Sequence, residues 1–117
     1  MTRQAFAAMA AGGPVLLDGA TGSNLRAAGM PVGVPPERWV LDHPTALLDL
    51  QRAYVDAGSR ILMAPTFSAN RPALDRFGLA GELGALNAAL VGLTREAAGG
   101  RALVAGDLST LGQPLEP

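Results

Sequence analysis

The residues best placed to do chemistry are a carboxylate and the small residues that follow it. They read Asp18-Gly19-Ala20-Thr21-Gly22-Ser23-Asn24, directly behind the aliphatic run Val15-Leu16-Leu17. The carboxylate can hold a cation. The backbone N–H groups of Gly19 to Gly22 can hold an anion, because side chains this small let a ligand approach the chain. Together they suit an amino acid, which carries both charges. An ordinary tight turn with Asp18 as a helix cap accounts for the same residues. Two further stretches repeat the arrangement. Pro65-Thr66-Phe67-Ser68-Ala69-Asn70 follows Arg60-Ile61-Leu62-Met63-Ala64, and Gly106-Asp107-Leu108-Ser109-Thr110 follows Ala102-Leu103-Val104-Ala105. Each places small and polar residues where an apolar run ends. In open parallel sheets and in barrels, that carboxyl end is where ligands sit.

The remaining polar residues are less directional. Thr66 and Asn70 either satisfy loop backbone or touch a ligand, and Asp107 either positions its loop or faces the pocket. Trp39 is the sole tryptophan and follows a Pro-rich loop, so it is either a packing anchor or a pocket wall. Glu37 and Arg38 read as solvated or locally paired, and Arg71 and Arg76 as a solvated face. His43 precedes Pro44 at a helix start, where it serves as a cap or a surface residue. No second histidine exists to share a metal.

The elements that position these residues follow from periodicity. A short helix over Arg3–Ala10 buries Phe6 and Met9 and stops at Gly12-Gly13-Pro14. The run at Val15–Leu17 reads as a buried strand. Residues 25–36 carry too much Pro and Gly for regular structure. A helix starts at Asp42 or His43 with Pro44 in its first turn, where a missing N–H costs nothing. Leu47, Leu50, Tyr54 and Ala57 form its apolar stripe, and Gly58 ends it. Arg71 to Phe77 is a short helical segment. A long helix over Gly81–Ala98 turns Leu83, Leu86, Leu90, Leu93 and Ala97 inward and stops at Gly99-Gly100. Strand starts near Val15, Ile61 and Ala102 recur about every 40 to 45 residues, the span of one unit of an insertion-bearing (β/α)8 barrel. The expected fold is therefore α/β: the N-terminal part of such a barrel, about three strand–helix units with the third helix missing, over residues 1–117.

Composition narrows the function. A net charge of −1 implies no nucleic-acid or anionic-membrane partner. All nine basic residues are Arg. The absence of cysteine rules out disulfides and thiolate metal sites within these residues. No apolar run reaches the roughly 20 residues of a membrane span. The N-terminal apolar stretch suits a short helix better than a signal peptide, so a cytoplasmic location is expected.

In order, Leu17-Asp18-Gly19-Ala20-Thr21-Gly22, Glu37-x-Trp39, His43-Pro44, Tyr54-Val55-Asp56-Ala57-Gly58-Ser59, Pro65-Thr66-Phe67-Ser68-Ala69-Asn70, Phe77-Gly78-Leu79, Asn87 and Ala105-Gly106-Asp107 resemble the homocysteine S-methyltransferase family. The resemblance runs from about Val15 to Pro117 and includes the homocysteine domain of cobalamin-dependent methionine synthase and the betaine- and S-methylmethionine-dependent enzymes. It implies a TIM barrel that methylates the sulfur of homocysteine to give methionine. It also implies a zinc ion, held by three cysteines of later strands, that keeps the substrate thiol as thiolate, which an ordinary thiol at neutral pH is not. Those ligands are absent here, and no catalytic or metal-binding residue is expected in this chain. The methyl donor is left open, with methylcobalamin among the donors.

On the same resemblance, Asp18 holds the homocysteine ammonium. The backbone of Gly19, Ala20 and Thr21 receives its carboxylate, and Trp39, Thr66 and Phe67 line the pocket. Three departures bear on pocket shape and donor: Val40 where Asn is usual after the Trp, Ala64-Pro65 where Asn often precedes Thr-Phe, and Gly106-Asp107-Leu108-Ser109-Thr110-Leu111-Gly112 where Gly-x-x-Gly-Pro is usual. The expectation is a fragment inactive alone. Two other readings stand beside it. One is a non-catalytic partial barrel that self-associates or pairs with a partner chain through open strand edges. The other is a doubly wound phosphate binder, for which the turn lacks both Gly-x-Gly-x-x-Gly and a phosphate-loop Lys.

Overall fold

A computed structural model describes residues 1–112, and the last five residues of the domain expected over 1–117 lie outside the described residues. The elements are α1 (Arg3–Ala11), α2 (Gly22–Ala27), α3 (Pro36–Asp42), α4 (Pro44–Asp56), β1 (Ile61–Met63), α5 (Arg71–Asp75), a 3-10 turn (Ala80–Glu82), α6 (Leu83–Ala98) and β2 (Leu103–Ala105).

The described residues contain two parallel strands where three were expected. β1 pairs with β2 in the register Ile61↔Leu103, Leu62↔Val104, Met63↔Ala105. The Val15–Leu17 run contributes an isolated parallel bridge, Leu17↔Ile61, on the other side of β1. The reason for its shortness is visible in the ladder. Ile61 N–H reaches the Leu16 carbonyl at 3.3 Å, and Asp18 N–H reaches that of Ile61 at 3.0 Å. The next rung of a parallel pair would run from Met63 N–H to the Asp18 carbonyl. Instead Met63 N–H donates to Asp18 Oδ2 at 3.0 Å, so a side chain takes the place of backbone and the strand ends. Leu16 and Leu17 are also exposed rather than buried, since no described element packs over them.

Leu62 and Val104 point to the helical side, where Leu62 packs with Leu48, Val55, Ala97 and Ala98. Alternation turns Ile61, Met63, Leu103 and Ala105 to the opposite face. A second cluster, Leu25, Met30, Val40, Leu47, Ala69 and Leu90, joins α2, α3, α4, α6 and the loop behind β1. Leu47, Leu62 and Leu90 are wholly buried. Each contributes about 1.5–3 kcal/mol of burial relative to an exposed side chain.

Helix boundaries follow the local chemistry. His43 is the N-cap of α4 with Pro44 in the first turn. The inward face of α4 is Leu47, Leu48, Gln51 and Val55, so Leu50 and Tyr54 sit at its half-buried margin and Ala57 is exposed. On α6 the inward residues are Leu86, Leu90, Thr94, Ala97 and Ala98, and the helix ends where Gly99 turns left-handed at φ 54°. Three expectations are corrected. Phe6 is exposed and α1 buries nothing fully. Residues 22–27, read as turn and loop, form helix α2, because Leu25 at their centre is an anchor of the core. Pro36, read as the end of a loop, and residues 37–42, to which no separate helix was assigned, form α3, with Pro36 at the N-terminal position that favours proline.

Candidate functional site

The Asp18 turn, the N-terminus of α3 and the loops behind β1 and β2 meet at the carboxyl end of the sheet. They enclose a cavity of about 400 Å³ lined by Asp18, Gly19, Thr21, Gly22, Leu25, Pro36, Glu37, Met63, Ala64, Pro65, Phe67, Ser68 and Asp107. A hollow of about 520 Å³ borders the strands and α1, but among the described residues no carboxylate, hydroxyl or imidazole side chain lines it, and its charged side chain is Arg95.

Asp18 is fixed by the Met63 N–H. Burial pushes its carboxyl above the ordinary 3.8. The N–H groups of Met63 and Asp18 itself and the Gln51 side chain oppose that rise, while the nearby Asp107 charge adds to it. Gln51, wholly buried on α4, donates Nε2 to the Met63 carbonyl at 2.9 Å and so braces the same strand end. The N–H groups of Gly19, Ala20 and Thr21 make no hydrogen bond to other described residues. The Ala20 carbonyl, by contrast, accepts Tyr54 Oη at 3.0 Å and Asn24 Nδ2 at 2.6 Å. These two bonds hold the turn with its carbonyl engaged and its amides free. Gly19 is required by close approach: a Cβ there would lie 2.8 Å from Tyr54 Oη. The sequence pattern had assigned Tyr54 to the apolar stripe. Its hydroxyl, at the margin of that stripe, was the signal for its second role.

Of the expected site residues, Asp18, Gly19, Thr21 and Phe67 line the cavity, with Phe67 well exposed. Ala20 does not line it and contributes only the carbonyl just described. Thr66 is buried and does not line it either. Its hydroxyl donates to the Asp107 carbonyl at 2.8 Å and accepts the Asp107 N–H at 2.9 Å, so both its functions are spent clamping the loops behind β1 and β2 together. Trp39 lies outside the lining, packs against the second core cluster and stacks on His43 with ring centroids 4.4 Å apart. Asn70 caps α5 through Ala73 N–H at 3.0 Å and reaches Ser109 Oγ at 3.1 Å. Asp107 does both things proposed for it, tying the loops by its backbone and lining the cavity.

Glu37 was not anticipated. Read as solvated or locally paired, it is 3 % exposed and lines the cavity beside Asp18. Its Oε1 accepts the Ser68 N–H at 3.1 Å. Burial pushes its carboxyl above the ordinary 4.5, against the lowering by its own N–H and that of Ser68. The Pro35-Pro36 pair before it offered a signal, since it starts a helix there. Among the described residues the cavity lining thus carries three carboxylates and no Arg, Lys or His. Its electrostatics favour a cationic group.

The homocysteine S-methyltransferase family model matches residues 15–117. The chain belongs to the homocysteine S-methyltransferase family. Among solved structures it is similar to the homocysteine methyltransferase MmuM from Escherichia coli. The metallated form superposes with a TM-score of 0.71 at 23% identity, over 87% of this chain and 40% of that one. The oxidized form gives 0.69 at 23% identity, over 81% and 37%. At that identity the likeness establishes the fold alone, and the chain spans about two fifths of its solved neighbours. No curated protein sequence matches. Among the described residues no helix is long and apolar enough to cross a membrane.

Proposed function

We propose that this chain supplies the amino-acid end of a homocysteine pocket in a larger enzyme that transfers a methyl group to the homocysteine sulfur, giving methionine. The observation that carries the reading is the cavity at the carboxyl end of the sheet. There a fixed, half-buried Asp18 sits with two lining residues, Gly19 and Thr21, whose backbone N–H groups are free, in a chain of this family. Asp18 receives the ammonium, the N–H groups of Gly19 and Thr21 receive the carboxylate, and Phe67 covers the apolar chain between. The sulfur is left to point away from these residues. In the reaction the thiol loses its proton, the sulfur forms a bond to the methyl carbon, and the donor's bond to that carbon breaks. Binding both ends of the amino acid fixes the direction of attack, which lowers the entropic part of the barrier.

Zinc, which the family resemblance implies as the group that stabilises the thiolate, would take its cysteine ligands from elsewhere. The sequence has no cysteine, and the described residues contain no group of three or more metal-binding side chains. Its ligands would come from outside this sequence, from the part that completes the (β/α)8 barrel, and the chain is inactive alone. Calorimetric titration of homocysteine into the protein as its gene encodes it tests the assignment. Asp18→Ala is expected to raise Kd about ten- to a hundred-fold, the loss of one charge-assisted hydrogen bond, with metal content unchanged. An unaltered Kd removes Asp18 from the site.

A further inference from the structure

We infer that Glu37 is a second ligand-contacting carboxylate of this pocket, and that it sets the requirement for a positively charged amino group on the substrate. The inference rests on the homocysteine reading of the site. A glutamate on the first turn of a helix is ordinarily solvated, yet Glu37 is 3 % exposed. It is not buried in an ion pair: the described salt bridges involve Arg38, Arg52 and Arg101, and none reaches Glu37. Burying a carboxylate without a countercharge is costly, and chains keep such a group where something else requires it.

One oxygen is accounted for. Oε1 takes the Ser68 N–H and ties α3 to the loop that carries Phe67. Oε2 receives no hydrogen bond from another described residue, and it is not among the fully enclosed unpartnered atoms, which are Gln51 Oε1 and Thr94 Oγ1. It is therefore not sealed in the core, and Glu37 lines the same cavity as Asp18. Among the described residues that lining holds no cationic side chain, and the countercharge assigned to Glu37 here is the ligand's ammonium. An ammonium has three N–H donors in a tripod, enough to serve Asp18 and Glu37 at once. The raised affinity of Glu37 for its proton has the same origin, an unpaired buried charge.

The alternative is that Glu37 acts only as the tie to Ser68. Glu37→Gln separates the two, because the amide keeps an acceptor for the Ser68 N–H and removes the charge. Binding is measured by calorimetry on the protein as its gene encodes it, under reducing conditions, with homocysteine and with 4-mercaptobutyrate, its analogue lacking the amino group. The expected result is a Kd for homocysteine raised about ten-fold or more and a Kd for 4-mercaptobutyrate unchanged or lowered. The melting temperature of the variant is expected to stay level or rise, since a desolvated charge has been removed. Equal weakening of both ligands, or a fall in melting temperature with no change in discrimination, assigns Glu37 to loop support and overturns the inference. No change in either Kd does the same. If the unsubstituted protein fails to bind homocysteine, the methyltransferase reading is refuted and the inference falls with it. Glu37→Asp, which keeps the charge, is expected to retain more of the discrimination than Glu37→Gln.

Discussion

Thr66→Val is the sharpest test of how the loops around the cavity are held. The two side chains have nearly the same shape, so packing of this buried residue is preserved while the hydroxyl is lost. In the structure that hydroxyl donates to the Asp107 carbonyl at 2.8 Å and accepts the Asp107 N–H at 2.9 Å. Both partners sit in a half-buried loop and cannot both turn to water without moving it. At roughly 1 kcal/mol for each bond, plus the cost of leaving a partly buried N–H unpaired, the loss comes to about 2–3 kcal/mol. Urea unfolding of the protein as its gene encodes it should show that decrease at unchanged m, and Thr66→Ser should recover most of it. Hydrogen exchange gives the local counterpart. The Asp107 amide should exchange at least about ten-fold faster in Thr66→Val, while amides of α6 remain protected. A loss below about 0.5 kcal/mol, or an equal loss in Thr66→Ser, would refute the clamp and return the Thr66 hydroxyl to the candidates for ligand contact.

Two further outcomes follow from the same geometry. Gly19→Ala places a methyl 2.8 Å from Tyr54 Oη, so either the turn or the ring must shift. Overpacking of this kind is expected to cost about 1–3 kcal/mol in urea unfolding and to weaken homocysteine binding, and Tyr54→Phe in the same chain should relieve part of the strain. The second concerns pH. Folding raises the proton affinity of Asp18 and Glu37 above their ordinary 3.8 and 4.5, so their contribution to stability is most favourable in acid. It declines as pH rises from those values through the raised ones. Asp18→Asn and Glu37→Gln should each flatten that decline. Binding of an ammonium needs the ionised carboxylates and runs the opposite way, strengthening as pH rises through the raised values. A binding profile whose acid limb falls at or below the ordinary carboxylate values would contradict this.

The family, the site end of the sheet and most helix boundaries were legible along the chain because the signals are local. His43-Pro44 starts α4, Gly99 ends α6 through a left-handed φ, and Leu86, Leu90 and Ala97 recur on one face. Asp18 behind an aliphatic run marked the cavity for the same reason: a strand end and a small-residue turn are features of a few neighbouring residues. Tertiary structure decided what each side chain is used for. Thr66 and Asp107, 41 residues apart, consume one another's hydrogen bonds. Tyr54 leaves the stripe to hold Ala20 across 34 residues. Glu37, indistinguishable in sequence from a solvated helix-start glutamate, is buried where its helix packs Val40 into the cluster of Leu25 and Leu47 and where Ser68 arrives from another loop. The Val15–Leu17 run, aliphatic enough for a full strand, stops after one bridge because the Asp18 side chain accepts the N–H that the strand's next carbonyl would have taken. Residue type and spacing thus determined where the chain turns and what kind of groups gather at the sheet's end. Which of those groups remain free for a ligand depends on hydrogen bonds between distant segments, and those exist only once the segments have packed.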